Sequence, residues 1–269
     1  MAPLLSRFLA PKTPGQKFAL GMGLLLVLAL VGLAWEVGYT AWAFARLQPR
    51  YPFLPAPEVW SHRGLGGQQP EETVPAWEEA IAHGAQGIEM DIHYFPGLGF
   101  ALSHQRPRQP MLMLGPTLQH FGRKTHYWLD FKRSERSDLH QVARELAATV
   151  KQAGVTDLLV VESPDPDVLQ AFHQEGLQTL LWISLSPHPS PWQALREQHR
   201  VRSWLLRSGA VGVSGYQGKL PPPDLGFLAG WPLFVFDLAT TAETAPFCRL
   251  GQVQVFLSRS HSIFPAPCP

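Results

Sequence analysis

The sequence predicts an α/β chain, a parallel (β/α)8 barrel preceded by one N-terminal transmembrane helix. Three observations predict it. Residues 18–35 form an unbroken run of eighteen uncharged, mostly apolar residues. Beyond residue 57, eight apolar or β-branched runs recur, with helical stretches between several of them. Charged and imidazole side chains gather at the ends of the first runs, where TIM barrels carry their chemistry. An open doubly wound sheet is the alternative, but no GxGxxG follows the first run and the chain has no P-loop.

The apolar helix comes first. FALGMGLLLVLALVGLAW is followed by Glu36 and nine more uncharged residues. At about 1.5 Å per residue, eighteen residues span roughly 27 Å, close to the hydrocarbon thickness of a bilayer. Trp35, Tyr39 and Trp42 then form an aromatic belt at the far interface. Ala41-Trp42-Ala43 has the form of a signal-peptidase site, so a cleaved signal peptide is the rival reading. The apolar run is longer than an ordinary signal core, which favours an uncleaved anchor over residues 18–45. Residues 1–17 carry Arg7, Lys12 and Lys17, whereas Arg46 and Arg50 follow the span. The positive-inside bias thus expects a cytoplasmic N-terminus and an extracytoplasmic main domain. Residues 46–57 are proline-rich and read as a stiff tether, and residues 58–269 form the barrel.

The composition fits this plan. Of 269 residues, 45% are apolar and 16% charged, enough for a core, which excludes a mainly disordered chain. The formal charge is +1. Setting aside the first 50 residues, with five bases and one acid, reduces the 22 bases to 17 and the 21 acids to 20. A mildly acidic domain has no basic field for nucleic acid, and an anionic substrate must be met by a local site. Oligomeric state is not legible. The two cysteines, Cys248 and Cys268, are either a disulfide or two buried thiols.

Strands are expected near 59–62, 87–94, 127–132, 158–162, 179–184, 210–214, 233–237 and 253–258. Helices are expected at 77–83, 137–153, 166–175 and 191–208. The first strand ends in Trp60-Ser61-His62-Arg63-Gly64. In the second, alternation puts Glu89, Asp91 and His93 on one face and Ile88, Met90 and Ile92 on the other. The third repeats the device with Asp130 and Lys132. Carboxylates crowded inside a barrel repel one another unless a cation lies between them, and three of them suit a hard divalent ion, Mg²⁺ or Ca²⁺. A short strand, Phe100-Ala101-Leu102-Ser103-His104, delivers a second histidine. His93 reads as a ligand or a rim residue and stays outside the catalytic set.

These segments resemble a known family. HRG-LGGQQ-PEET is similar to the H-R-G-x5-P-E-N-T signature of glycerophosphodiester phosphodiesterases. GAQGIEMDIHYFPGLGFALSH resembles that family's E-x-D strand, with a histidine thirteen residues after the Asp. YWLDFK resembles its E-I-K strand, with Asp130 in place of the Glu, and VVESPDPDVLQAF its fourth strand and helix. The resemblance implies His62 and His104 as an acid/base pair. It implies Glu89, Asp91 and Asp130 as ligands of one divalent cation, Arg63 and Lys132 on phosphate, and Glu71 as an orienting neighbour. The implied activity is metal-dependent hydrolysis of glycerophosphodiesters or lysophospholipids. The alternative is an inactive barrel that holds phospholipid head groups at the membrane.

The chain also departs from the family. Gln105 stands where the family has Asp, and Glu72 where it has Asn. Only the 25 residues 105–129 separate His104 from Asp130, so the family's longer insertion is missing and a more open mouth is expected. The last strand ends in Ser258-Arg259-Ser260 instead of the family's T-D-x-P.

Overall fold

A computed structural model describes residues 13–47, 57–64, 69–105, 112–132, 138–264 and 267–268. The extreme N-terminus and most of the proline-rich tether therefore lie outside the described residues. The chain divides into two units, Met1–Arg46 and Leu47–Pro269.

The first unit is helix α1, Pro14–Arg46. Its stretch Phe18–Arg46 is long and apolar enough to cross a membrane, a character it shares with signal sequences. None of its most apolar stretch is buried. Near its end the Tyr39 and Trp42 rings stack, and the Arg46 guanidinium lies 3.9 Å from the Trp42 ring centre.

The second unit is a closed parallel barrel. Its strands are β1 (Glu58–Ser61), β2 (Gly87–Phe95), β5 (His126–Lys132), β6 (Leu159–Ser163), β7 (Gln178–Trp182), β8 (Gly212–Tyr216), β9 (Leu233–Leu238) and β10 (Val253–Ser258). All are joined in parallel, and β1 closes the ring by pairing with both β10 and β2. The closing seam is short, with only Trp60–Gly87 and Ser61–Ile88 in register. Further along, β2 pairs antiparallel with β3 (Gly99–Leu102), which pairs with β4 (Leu112–Met113). One edge of β2 thus serves β1 at its start and a hairpin at its end.

Helices α2 (Val74–Ala82), α3 (Leu114–Phe121), α4 (Leu139–Ala153), α5 (Pro166–Gln174), α6 (Pro191–Ser208) and α7 (Thr241–Cys248) follow six of the barrel strands. The full complement of eight is not reached among the described residues. After β8 the chain makes only 3-10 turns, including Pro222–Leu228, because PPPDLGFL cannot donate a continuous ladder of backbone N–H bonds. After β10 there is only the turn His261–Ile263. Conversely, α3 and α7 are unexpected from sequence, since each carries an interior proline or Gly-Pro pair. Helix α2 begins directly after Pro70-Glu71-Glu72-Thr73, where Thr73 caps it and Pro75 lies in its first turn.

Two apolar layers hold the barrel. Ile88, Met90, Ile92, Leu129 and Val161 face outward and pack under the helices with Trp77, Leu118, Leu146 and Phe172. Inside, Trp60, Trp128 and Phe234 meet edge-to-face at 5.5–6.5 Å and plug the base. Gly87 makes room for this plug, as a Cβ there would lie 2.3 Å from the Trp60 ring. Below it, Glu58 accepts a hydrogen bond from the Trp60 indole at 2.7 Å and stands 3.1 Å from His126 Nδ1. A disulfide joins Cys248 to Cys268 and ties the C-terminal segment to α7, where the Thr244 hydroxyl donates to the Pro267 carbonyl.

Candidate active site

Above the aromatic plug the inward positions turn polar. The His62 N–H donates to the Ser258 carbonyl at 2.8 Å, which carries the β1 pairing one residue further and points His62 into the mouth. The chain then reverses. Arg63 has φ 54° and Gly64 φ 83°, two consecutive left-handed residues. A side chain at Gly64 would meet the Ala76 Cβ at 2.4 Å, so H-R-G requires its glycine. The turn brings the Arg63 N–H to Glu89 Oε2 at 3.1 Å and the Arg63 guanidinium Nε to Asp91 Oδ2 at 2.7 Å.

Strand β2 supplies Glu89 and Asp91, both buried and both on the inner face. The Trp77 indole of α2 donates to the Glu89 carbonyl at 3.1 Å and fixes that point of the strand. The hairpin β3 brings His104 round, with Nδ1 donating to Asp91 Oδ2 at 3.1 Å. Strand β5 supplies Asp130 and Lys132, in register with Asp91 and His93. Lys132 bonds the Asp130 carboxylate and reaches Asp91 Oδ1 at 2.6 Å. His62 stands between Glu89 Oε2 and Asp237 Oδ1, 3.9 Å from each.

The expected residues therefore converge. His62, Arg63, Glu89, Asp91, His104, Asp130 and Lys132 share one mouth, and Glu71 lies at its half-exposed edge, 4.0 Å from the Arg63 guanidinium. The tightest carboxylate group, however, is Glu72, Glu89 and Asp91, each offering an oxygen within 4.8 Å of the others. Asp130 stands beside this group, on Lys132.

Electrostatics follow from the crowding. Burial pushes Glu89 well above the ordinary carboxylate range, and the Asp91 and Glu72 charges push it further. Glu72 is raised likewise, by burial and then by Asp91. Burial raises Asp130 to about 6 against the pull of Lys132. Asp91 is the exception. Burial would raise it, but Lys132 and Arg63 outweigh that and hold it at about 2. His62 falls to about 3, through burial and then the Arg63 charge, so its imidazole is neutral at physiological pH. Such a carboxylate set fits a hard divalent cation, whose charge would relieve the repulsion. Glu72 Oε2 adds to the fit, being buried with no hydrogen-bond partner.

Four residues, Glu72, Glu162, Asp237 and Arg259, are absent from the sequence reading of the site. Glu72 looks like a mere departure from P-E-N-T. Glu162, buried at the end of β6, lines the pocket beside Asp130, and burial raises its pKa well above the ordinary value. Its signal is an acid inside the apolar run LLVVES. Asp237, with φ 72°, ends β9 and pairs with Arg259 Nε at 2.6 Å. Non-glycine residues at positive φ are uncommon, and three of the four among the described residues, Arg63, Glu72 and Asp237, stand at this mouth. Two adjoining cavities of about 250 and 420 Å³ open there, sharing Arg63, Asp130, Glu162 and Phe236.

Residues 62–94, which run from His62 through Asp91, match the Glycerophosphoryl diester phosphodiesterase family. That match spans 33 of the 269 residues, the segment that carries His62, Arg63, Glu89 and Asp91. Solved structures share the fold over most of the chain. A glycerophosphodiester phosphodiesterase from Thermotoga maritima superposes with a TM-score of 0.60 at 15% identity, covering 78% of this chain and 98% of its own. A glycerophosphodiester phosphodiesterase from Parabacteroides distasonis gives 0.60 at 14% identity, covering 75% and 92%. An Oleispira antarctica phosphodiesterase, solved with the product sn-glycerol-3-phosphate, gives 0.60 at 16% identity, covering 76% and 93%. No curated protein sequence matches the chain.

Proposed function

We propose that this chain belongs to the glycerophosphoryl diester phosphodiesterase family and hydrolyses glycerophosphodiesters, with His62 and His104 as its acid/base pair. One observation carries the reading: two imidazoles from different strands reach the same buried carboxylate group, His62 at Glu89 and His104 at Asp91. Glu72, Glu89, Asp91 and Asp130 are the oxygen donors available to a divalent cation, Mg²⁺ or Ca²⁺. That cation, when bound, supplies charge neutralisation on the phosphate oxygens.

The chain's own groups do the rest. Arg63 and Lys132, each already turned into the mouth, meet the non-bridging oxygens of the phosphodiester. Neutral His62 keeps a nitrogen lone pair that can take the proton from the attacking hydroxyl, of water or of the substrate's own glycerol. His104 gives its Nδ1–H to Asp91, which orients the ring and leaves Nε2 to protonate the leaving oxygen. A new P–O bond forms as the P–O bond to the alcohol breaks.

A lysophospholipid substrate is favoured by the outer cavity, where Pro164, Trp182 and Phe236 offer apolar surface next to Lys132. Anchoring by α1 would tether the chain to a membrane, the source of such lipids. The Cys248–Cys268 disulfide supports an oxidising, extracytoplasmic side for the barrel. Incubating the purified chain with a panel of glycerophosphodiesters and lysophospholipids, with and without EDTA, tests the reading. Glycerol phosphate or lysophosphatidate and the free alcohol are expected, and lost with EDTA. Silence across the panel would reject hydrolysis in favour of a head-group binder.

A further inference from the structure

The family pattern differs from this chain at two places that the fold brings together. Asp130 is one methylene shorter than the family's Glu, and Glu72 carries a carboxylate where the family has an amide. We propose that the Glu72 carboxylate is the third protein ligand of the cation, beside Glu89 and Asp91, and that Asp130 serves instead to hold Lys132.

The geometry favours this exchange. Glu72, Glu89 and Asp91 are the carboxylates whose oxygens gather within 4.8 Å among the described residues. Asp130 is outside that set and its carboxylate is taken by Lys132. The Glu72 side chain is only one-tenth exposed. Its Oε1 accepts the Asp91 backbone N–H at 3.2 Å, while Oε2 is buried and has no hydrogen-bond partner. A buried carboxylate oxygen with nothing to accept from is costly unless something else, such as a cation, supplies its partner. The backbone points the same way. Glu72 has φ 60°, a region that asparagine tolerates far better than glutamate. A glutamate kept there has a use for its carboxylate that outweighs the strain. Hard divalent ions accept such an all-oxygen set.

This inference rests on the metal-dependent reading above, and the experiment separates the two. The full chain, purified in detergent, is titrated calorimetrically with Mg²⁺ and with Ca²⁺, and its thermal midpoint is followed with and without each ion. Glu72→Gln is expected to weaken cation binding at least tenfold and to abolish the ion-induced rise in midpoint. Asp130→Asn is expected to keep both. The double variant Glu72→Asn with Asp130→Glu, which restores the family's pair, is expected to recover binding that Glu72→Asn alone loses. That rescue separates a ligand role from a merely structural one. Binding lost in Asp130→Asn but kept in Glu72→Gln would overturn the inference and leave the metal-dependent reading intact. Failure of the wild-type chain to take up either ion would overturn both.

Discussion

His62 is poised by burial, and its neutrality has a measurable consequence. His62→Ala and His104→Ala should each lower kcat by about 10²–10⁴. Cation affinity should survive in both, since neither imidazole belongs to the carboxylate group. Full turnover in either variant would reject the acid/base assignment. A second residue pair lies at the opposite end of the barrel. The hydrogen bond to Glu58 raises the His126 pKa above 6.5 against the effect of burial. Burial would raise Glu58, but its bonds to His126 and Trp60 outweigh that and lower it below 4.5. The raised histidine contributes stability that is full below its unfolded value and lost as pH rises through its folded value. The lowered glutamate contributes stability that is full above its unfolded value and lost as pH falls through its folded one. The midpoint difference between wild type and Glu58→Gln should therefore be largest between pH 4.5 and 6.5 and shrink on both sides. A difference that stays flat from acid to alkaline pH would contradict the pair. At this scale the sequence was informative where residues sit at strand ends in dense runs, as with H-R-G and E-M-D. It marked Glu72 only as a departure from the family and was silent on Asp237, because a positive φ that turns a side chain inward leaves no trace in spacing.

Strands are legible because a buried parallel strand needs a compact apolar run, and the eight expected runs fall within two residues or so of the observed ones at nearly every boundary. Helices α3 and α7 escaped because Gly-Pro and Pro246 argue against a helix locally, while packing against the barrel decides otherwise. Closure of the first βα loop depends on Gly64. Gly64→Ala should destabilise the barrel by about 1–3 kcal/mol in urea, from the Cβ overlap with Ala76 and the left-handed backbone. At the other end of the chain, Cys248→Ser opens a loop with a sequence separation of 20 and should cost about 3 kcal/mol. Reduction should lower the wild type to the level of that variant and leave the variant unchanged. A reductant that does not move the wild type would argue against the bond.

For the whole molecule, periodicity and strand-end chemistry together made the barrel readable, although the structural relatives share only 14–16% of its residues. The incomplete outer ring was not readable, since a proline-rich connection leaves its shape to the packing around it. A resident cation would bind the folded barrel alone. Mg²⁺ or Ca²⁺ at about a hundred times its Kd should add about 2.7 kcal/mol of stability, which EDTA removes. On the proposed extracytoplasmic orientation, a phosphatase reporter at the C-terminus should be active outside the cytoplasm. A cytoplasmic signal would reverse that proposal.

One detail of β2 reaches further. Between its seam with β1 and its hairpin with β3, the strand has no neighbour to receive the Asp91 amide, and a Glu72 oxygen does so instead. That amide is thus a resident spectator of the pocket. Its nitrogen-15 resonance should travel when an ion or a phosphate arrives, long before any product is counted.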